Sequence, residues 1–209
     1  MKLYAITDRR LFASLEALPP ALIDKAALWA SGGVDFVQVR EKDLAPAELY
    51  ELACRIVRAV RSTGGHTRVL LNGSVDGSWE MAAATGCDGV HLAANLPGSA
   101  IADARMVMMR AVPDSVISVS CHTVFEVERA RDEGATLALF APVFEKRSGA
   151  ETVPGQGLQA LAEACRVAAP MPVFALGGVT VANAQDCIHA GAAGIAAIRL
   201  FAFEDWLAL

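Results

Sequence analysis

Short apolar runs recur along the chain at residues 3–7, 34–39, 68–71, 89–92, 116–120, 137–140, 172–176 and 194–198. Each has the length of a strand buried on both faces. Between them the apolar positions switch to helical spacing. The clearest case is 46–61, where Leu49, Leu52, Ala53, Ile56, Val57 and Val60 form one stripe. The same spacing predicts helices over 76–85, 124–133, 158–168 and 181–190. Pro20 and Pro46 suit first helical turns, and Gly134 and Gly191 suit left-handed helix ends. Strands alternating with helices build parallel βαβ units. Eight units match an α/β, (β/α)8 TIM barrel in a single domain, with 209 residues near the short limit of that fold. An open doubly wound sheet is the competing closure, and no GxGxxG turn follows the first run to support its dinucleotide-binding form. Residues 145–157 read as one long irregular loop after the sixth strand, the length of a binding loop or lid.

Composition narrows the partners. Apolar residues make up 54% of the chain and charged residues 20%, enough to build a core without disulfides or metal. Eighteen Lys and Arg against 23 Asp and Glu give a net charge of −5, which speaks against a nucleic-acid footprint. No run approaches 18 uninterrupted apolar residues, so no membrane span is expected. The five cysteines are odd in number and form no CxxC pair, and the opening MKLYAITDRR has no secretory apolar region. A reduced, cytoplasmic protein is the expectation. Phe201, Phe203, Trp206 and Leu207 suit a C-terminal helix packed on its own barrel, with a homodimer contact as the alternative.

In a barrel the chemistry gathers where strands end. Gln38, Arg40 and Lys42 alternate at the end of the second run, so an extended chain puts one amide and two cations on one side. Such a group orients a heterocycle and grips an oxyanion. The structural alternative pairs Arg40 with Glu41 or Asp43. Gly177 and Gly178 end the seventh run, and Ile198 and Arg199 end the eighth. Glycine turns there let N–H groups approach a phosphate, or are simply tight turns. Ser120 and His122 close the fifth run and Asn72 the third. His122 is a candidate acid–base group, or a structural imidazole. His91 reads as a structural residue at a strand end, and His66 and His189 as surface positions. No HxH, HExxH or paired-carboxylate spacing suggests a dedicated metal cage.

Taken in order, YAITD, VQVREKD, LLNGSVD, CDGVHL, SVSCHT, FAPVFEK, FALGGVT and GAAGIAAI resemble the thiamine phosphate synthase/TenI superfamily from Tyr4 to about Phe201. The resemblance implies the same (β/α)8 barrel. Its synthase branch joins a pyrimidine diphosphate to thiazole phosphate with magnesium. That branch carries Asn-Asp after the third strand, where Asn72-Gly73 stands here. It carries Gly-Gln-x-Asp after the VHL run, where Ala93, Ala94, Asn95 and Leu96 stand here. Its threonine- and lysine-bearing loop is replaced by Glu145, Lys146, Arg147 and Ser148. Magnesium wants hard oxygen ligands, so these departures favour the TenI branch, which includes metal-free thiazole tautomerases.

On that reading the chain is an isomerase that aromatises a phosphorylated thiazole carboxylate, with His122 as the acid–base residue and no cofactor. Gln38, Arg40, Lys42, Asn72 and Ser120 would bound the substrate. Gly177, Gly178, Ile198 and Arg199 would surround its phosphate, although the family's serine is replaced by Arg199. Two alternatives stand beside it: a magnesium-dependent synthase, and a non-catalytic regulatory binder of thiazole or thiamin phosphate. Either takes a small phosphorylated thiazole as its partner.

Overall fold

The computed structural model describes residues 1–11, 18–73, 77–95, 97–148, 151–203 and 205–209, and in it the apolar runs become β1 (Lys2–Ile6), β2 (Phe36–Val39), β3 (Arg68–Gly73), β4 (Gly89–Leu92), β5 (Val116–Cys121) and β6 (Leu137–Phe140). A small pair, β7 (Lys146–Ser148) and β8 (Glu151–Val153), precedes β9 (Val173–Leu176) and β10 (Gly194–Ala197). Eight parallel strands close a barrel in the order β1-β10-β9-β6-β5-β4-β3-β2. The helices are α1 (Leu18–Ser31), α2 (Pro46–Ser62), α3 (Ser78–Thr85), α4 (Ala100–Ala111), α5 (Val124–Asp132), α6 (Gly157–Ala168), α7 (Val181–His189) and α8 (Arg199–Ala202). The single-domain TIM barrel expected from the pattern is the fold. Among the described residues no helix is long and apolar enough to cross a membrane.

Strand alternation divides the apolar residues into two clusters. Val37, Val39, Val69, Leu71, Ile117 and Val119 face outward and pack beneath the helices. Tyr4, Ile6, Phe36, Leu70, Leu139 and Phe174 face inward. Slipping any strand by one residue would exchange the two sets, so the register is strongly fixed. Tyr4, Phe36 and Phe174 pack ring on ring, with centroids 5.5 to 5.9 Å apart. They plug the lower barrel, and each such buried side chain contributes about 1.5–3 kcal/mol. Gly194 has no room for a side chain there, because a Cβ would meet the Lys2 carbonyl and the Phe174 ring.

The α2 stripe is the predicted one, with Leu49, Leu52, Ala53, Ile56, Val57 and Val60 all buried. Its start is fixed by Pro46 in the first turn and by Glu48, which accepts a hydrogen bond from the Ala45 N–H at 3.0 Å. Three expectations need correction. Residues 145–157 are not wholly irregular, because β7 and β8 form an antiparallel hairpin within them. The helix predicted from residue 76 begins at Ser78, and residue 76 lies outside the described residues. The expected C-terminal helix is not a single element but the short α8 followed by a 3-10 turn, Asp205–Ala208. Phe201 and Trp206 are buried there, and the Trp29 indole donates to the Phe201 carbonyl at 3.0 Å, whereas Phe203 and Leu207 are exposed.

Candidate active site

The barrel interior is asymmetric above its aromatic plug. β1, β6, β9 and β10 line it with apolar Ile6, Leu139, Leu176 and Ala196, whereas β2 to β5 supply Gln38, Asn72, His91, Ser118 and Ser120. The polar arc is one hydrogen-bonded network. Tyr4 donates to Gln38 Oε1 at 3.2 Å, and the Gln38 amide nitrogen donates to Asn72 Oδ1 at 2.9 Å. The tyrosine oxygen also lies 3.5 Å from Ser118 Oγ. The His91 ring spans two hydroxyls, with Nδ1 2.8 Å from Ser118 Oγ and Nε2 2.8 Å from Ser120 Oγ. Buried polar groups paired in this way avoid the cost of lost hydration.

Burial, and secondarily the charge of Arg40, pushes the His91 imidazole down to about 3. An unfolded imidazole takes its proton near 6.5. Between those values the unfolded chain binds a proton that the folded chain refuses. Stability therefore falls as pH drops through that window, by up to about 1.4 kcal/mol per unit. Urea midpoints measured from pH 7 to pH 4.5 should fall more steeply for the wild type than for His91→Gln. Parallel slopes would assign the acid sensitivity to other groups.

Arg40 sits on the rim just past β2, its N–H donating to Thr7 Oγ1 at 2.9 Å. Neighbouring carboxylates are engaged elsewhere. Asp43 takes a two-pronged contact from Arg9 at 2.7 and 3.0 Å, and Glu41 accepts the Arg9 N–H at 3.0 and 3.2 Å. Asp8 is bound by Arg10 at 2.9 and 3.0 Å, which holds its carboxyl below the usual range. Burial raises the Glu41 carboxyl. Among the described residues no ion pair closes on Arg40 or Lys42, so the pairing of Arg40 with Glu41 or Asp43 does not occur. Burial lowers the Arg40 guanidinium, and the charge of Arg40 lowers the Lys42 ammonium. Two uncommitted cations crowd one part of the rim, which is what an anion site requires.

His122 is exposed on the same rim, between β5 and β6. Its Nδ1 lies 2.8 Å from the Ala141 carbonyl, which only accepts, so Nδ1 is the donor of that bond. The backbone is held by Thr123, which caps α5, and by Glu126, which accepts the His122 N–H. Hydrogen bonds tie Ser120 to His91 and not to His122. Gly177 and Gly178 adopt φ of 92° and 67° and lie against Pro142, Phe144 and Glu145. Their N–H groups, with those of Ile198 and Arg199, donate to no backbone carbonyl among the described residues. Tyr4, Ser118 and the full engagement of His91 are what the sequence reading missed. Polar residues at inward strand positions were the available signal.

A family model described as thiamine monophosphate synthase matches residues 3–201. The chain belongs to the thiamine monophosphate synthase family. It is 38% identical over 176 residues to a thiamine-phosphate synthase of Methanoculleus marisnigri, covering 84% of this chain and 77% of the relative. It is 34% identical over 195 residues to one from Roseiflexus sp. RS-1, covering 93% and 75%. A thiamine phosphate pyrophosphorylase structure from Pyrococcus furiosus superposes with a TM-score of 0.76 at 24% identity, over 99% of this chain and 90% of that one, which supports the fold. These relatives overturn the expected tautomerase, and with it the isomerase class, because they are named as synthases. Asn72-Gly73 and His122 carried that expectation locally, and likeness along the whole chain outweighs them.

Proposed function

We propose that this member of the thiamine monophosphate synthase family joins hydroxymethylpyrimidine diphosphate to thiazole phosphate, giving thiamine phosphate and releasing diphosphate. The thiazole ring nitrogen forms a bond to the pyrimidine methylene carbon. The bond from that carbon to the diphosphate oxygen breaks, and its electron pair leaves with the diphosphate. Charge therefore grows on the leaving group, and the protein's task is to hold both partners in line and meet that charge.

The observation that carries the reading is the pair Arg40 and Lys42 on the rim, which close no ion pair among the described residues, beside carboxylates already bound to Arg9 and Arg10. Arg40 grips the diphosphate and Lys42 adds its charge from the exposed side. Gln38, Asn72 and Ser120 offer hydrogen bonds to the heterocycle, and the apolar arc covers its other face. The N–H groups of Gly177, Gly178, Ile198 and Arg199 take the thiazole phosphate, and the His122 imidazole stands exposed at the rim. Magnesium belongs to synthases by the resemblance, but the described residues do not fit a protein-held ion. They contain no group of three His, Cys, Asp or Glu side chains placed to bind one, and Asp8, Glu41 and Asp43 are engaged by arginines and N–H groups.

Purified protein given both phosphorylated halves with magnesium in the buffer should yield thiamine phosphate, detected by chromatography, and none when either half is omitted. No product at high enzyme concentration would refute the reading.

A further inference from the structure

One arrangement of protons makes every contact in the buried network a hydrogen bond, the 3.5 Å contact between Tyr4 and Ser118 included. Gln38 Oε1 accepts only, so Tyr4 spends its one proton there. The Tyr4 oxygen can then only accept from Ser118. With its proton committed to Tyr4, Ser118 must accept from the imidazole, which places the His91 proton on Nδ1. Nε2 is left as a lone pair, and the Ser120 hydroxyl donates into it. A doubly protonated ring would break the chain, because Ser120 would have to turn its proton away. Burial and the nearby Arg40 charge both disfavour that form.

We infer that His91 is a positioning residue that locks the Ser120 hydroxyl as an inward donor, so that toward the mouth Ser120 presents only lone pairs. Ser120 stands half-exposed at the end of β5, whereas His91 is 5% exposed and Ser118 wholly buried. The mouth therefore reads its ligand there by acceptance, and favours a heterocycle with an N–H or another polarised hydrogen at that point over one with a lone pair. Asn72 provides the complement. Its Oδ1 already accepts from Gln38, and among the described residues its amide N–H groups have no acceptor, so they are available to donate to the ligand. The relay extends the synthase reading by assigning acceptor and donor positions within the same pocket.

Two measurements test it. Nitrogen-15 spectra of the histidine side chains, with the His91 signals assigned by their loss in His91→Gln, should show the Nδ1–H tautomer, neutral at pH 6. The Nε2–H tautomer, or a protonated ring, would overturn the relay. In the coupling assay, His91→Gln should lower kcat/KM about tenfold with Ser120 present and leave it unchanged in Ser120→Ala, the effect of one mispositioned hydrogen bond. Equal losses in both backgrounds would mean a merely structural His91 and would also overturn the proposal. Absence of thiamine phosphate from the wild type would refute the synthase reading alone, and the tautomer spectrum would still decide the relay.

Discussion

Arg40→Ala should lower kcat/KM for coupling by about a hundredfold to a thousandfold, the scale seen when one preorganised donor to a developing anion is removed. Arg40 is half-buried, so it meets charge in a poorly screened place. Among the described residues no carboxylate pairs with it, because Arg9 and Arg10 hold Asp43, Glu41 and Asp8. Arg40→Lys keeps the charge but loses the planar fork, and should recover part of the activity. Lys42→Ala should cost less, since that side chain is exposed. Arg166→Ala is the matched control, because this exposed guanidinium is paired with Glu163 on α6. An Arg40→Ala protein with wild-type kinetics and a wild-type melting temperature would remove the anion site from this rim.

The second large effect concerns the turn after β9. Gly178 has φ of 67°, and a Cβ there would press on the Glu145 carbonyl and lie 2.7 Å from Phe144 Cβ. Gly178→Ala should cost about 1–2 kcal/mol for the left-handed backbone and about 1–3 kcal/mol for overpacking. It should also displace the N–H groups assigned to the thiazole phosphate, raising the KM for that substrate about tenfold. Gly157→Ala separates the two costs. Gly157 has φ of 86° with nothing within 4 Å of the added carbon, so that variant should lose stability by strain alone and keep its KM. Thermal melts and steady-state kinetics on both variants check this. An unchanged thiazole phosphate KM in a folded Gly178→Ala protein would count against the phosphate assignment.

The strands were legible because burial on both faces makes each an unbroken apolar run, and the eight runs fall where the barrel strands lie. Alternation also put Gln38 and Arg40 on the same side of the second run; that one is buried and the other on the rim is what the structure adds. β7 and β8 were not legible: KRS and ETV are short and polar, with no apolar face to announce a strand. α4 escaped as well, since two of its four buried positions, Ala100 and Ala104, are small and leave only a thin apolar stripe. His91 was placed correctly as a strand-end residue, but its bridge to Ser118 and Ser120 depends on β4 and β5 lying side by side. The branch of the family was misread because absent carboxylates at Gly73 and Leu96 weigh heavily in a motif, and motifs sample few of the positions that relatives share. Leu96 itself lies outside the described residues.

The most direct test of the coupling claim is phosphorus NMR of the protein mixed with both phosphorylated halves. The account predicts that the substituted diphosphate signals of the pyrimidine substrate give way to free diphosphate while one phosphate monoester, that of thiamine phosphate, persists, and that Arg40→Ala slows the change about a hundredfold or more. Unchanged substrate signals with the wild-type protein would contradict it.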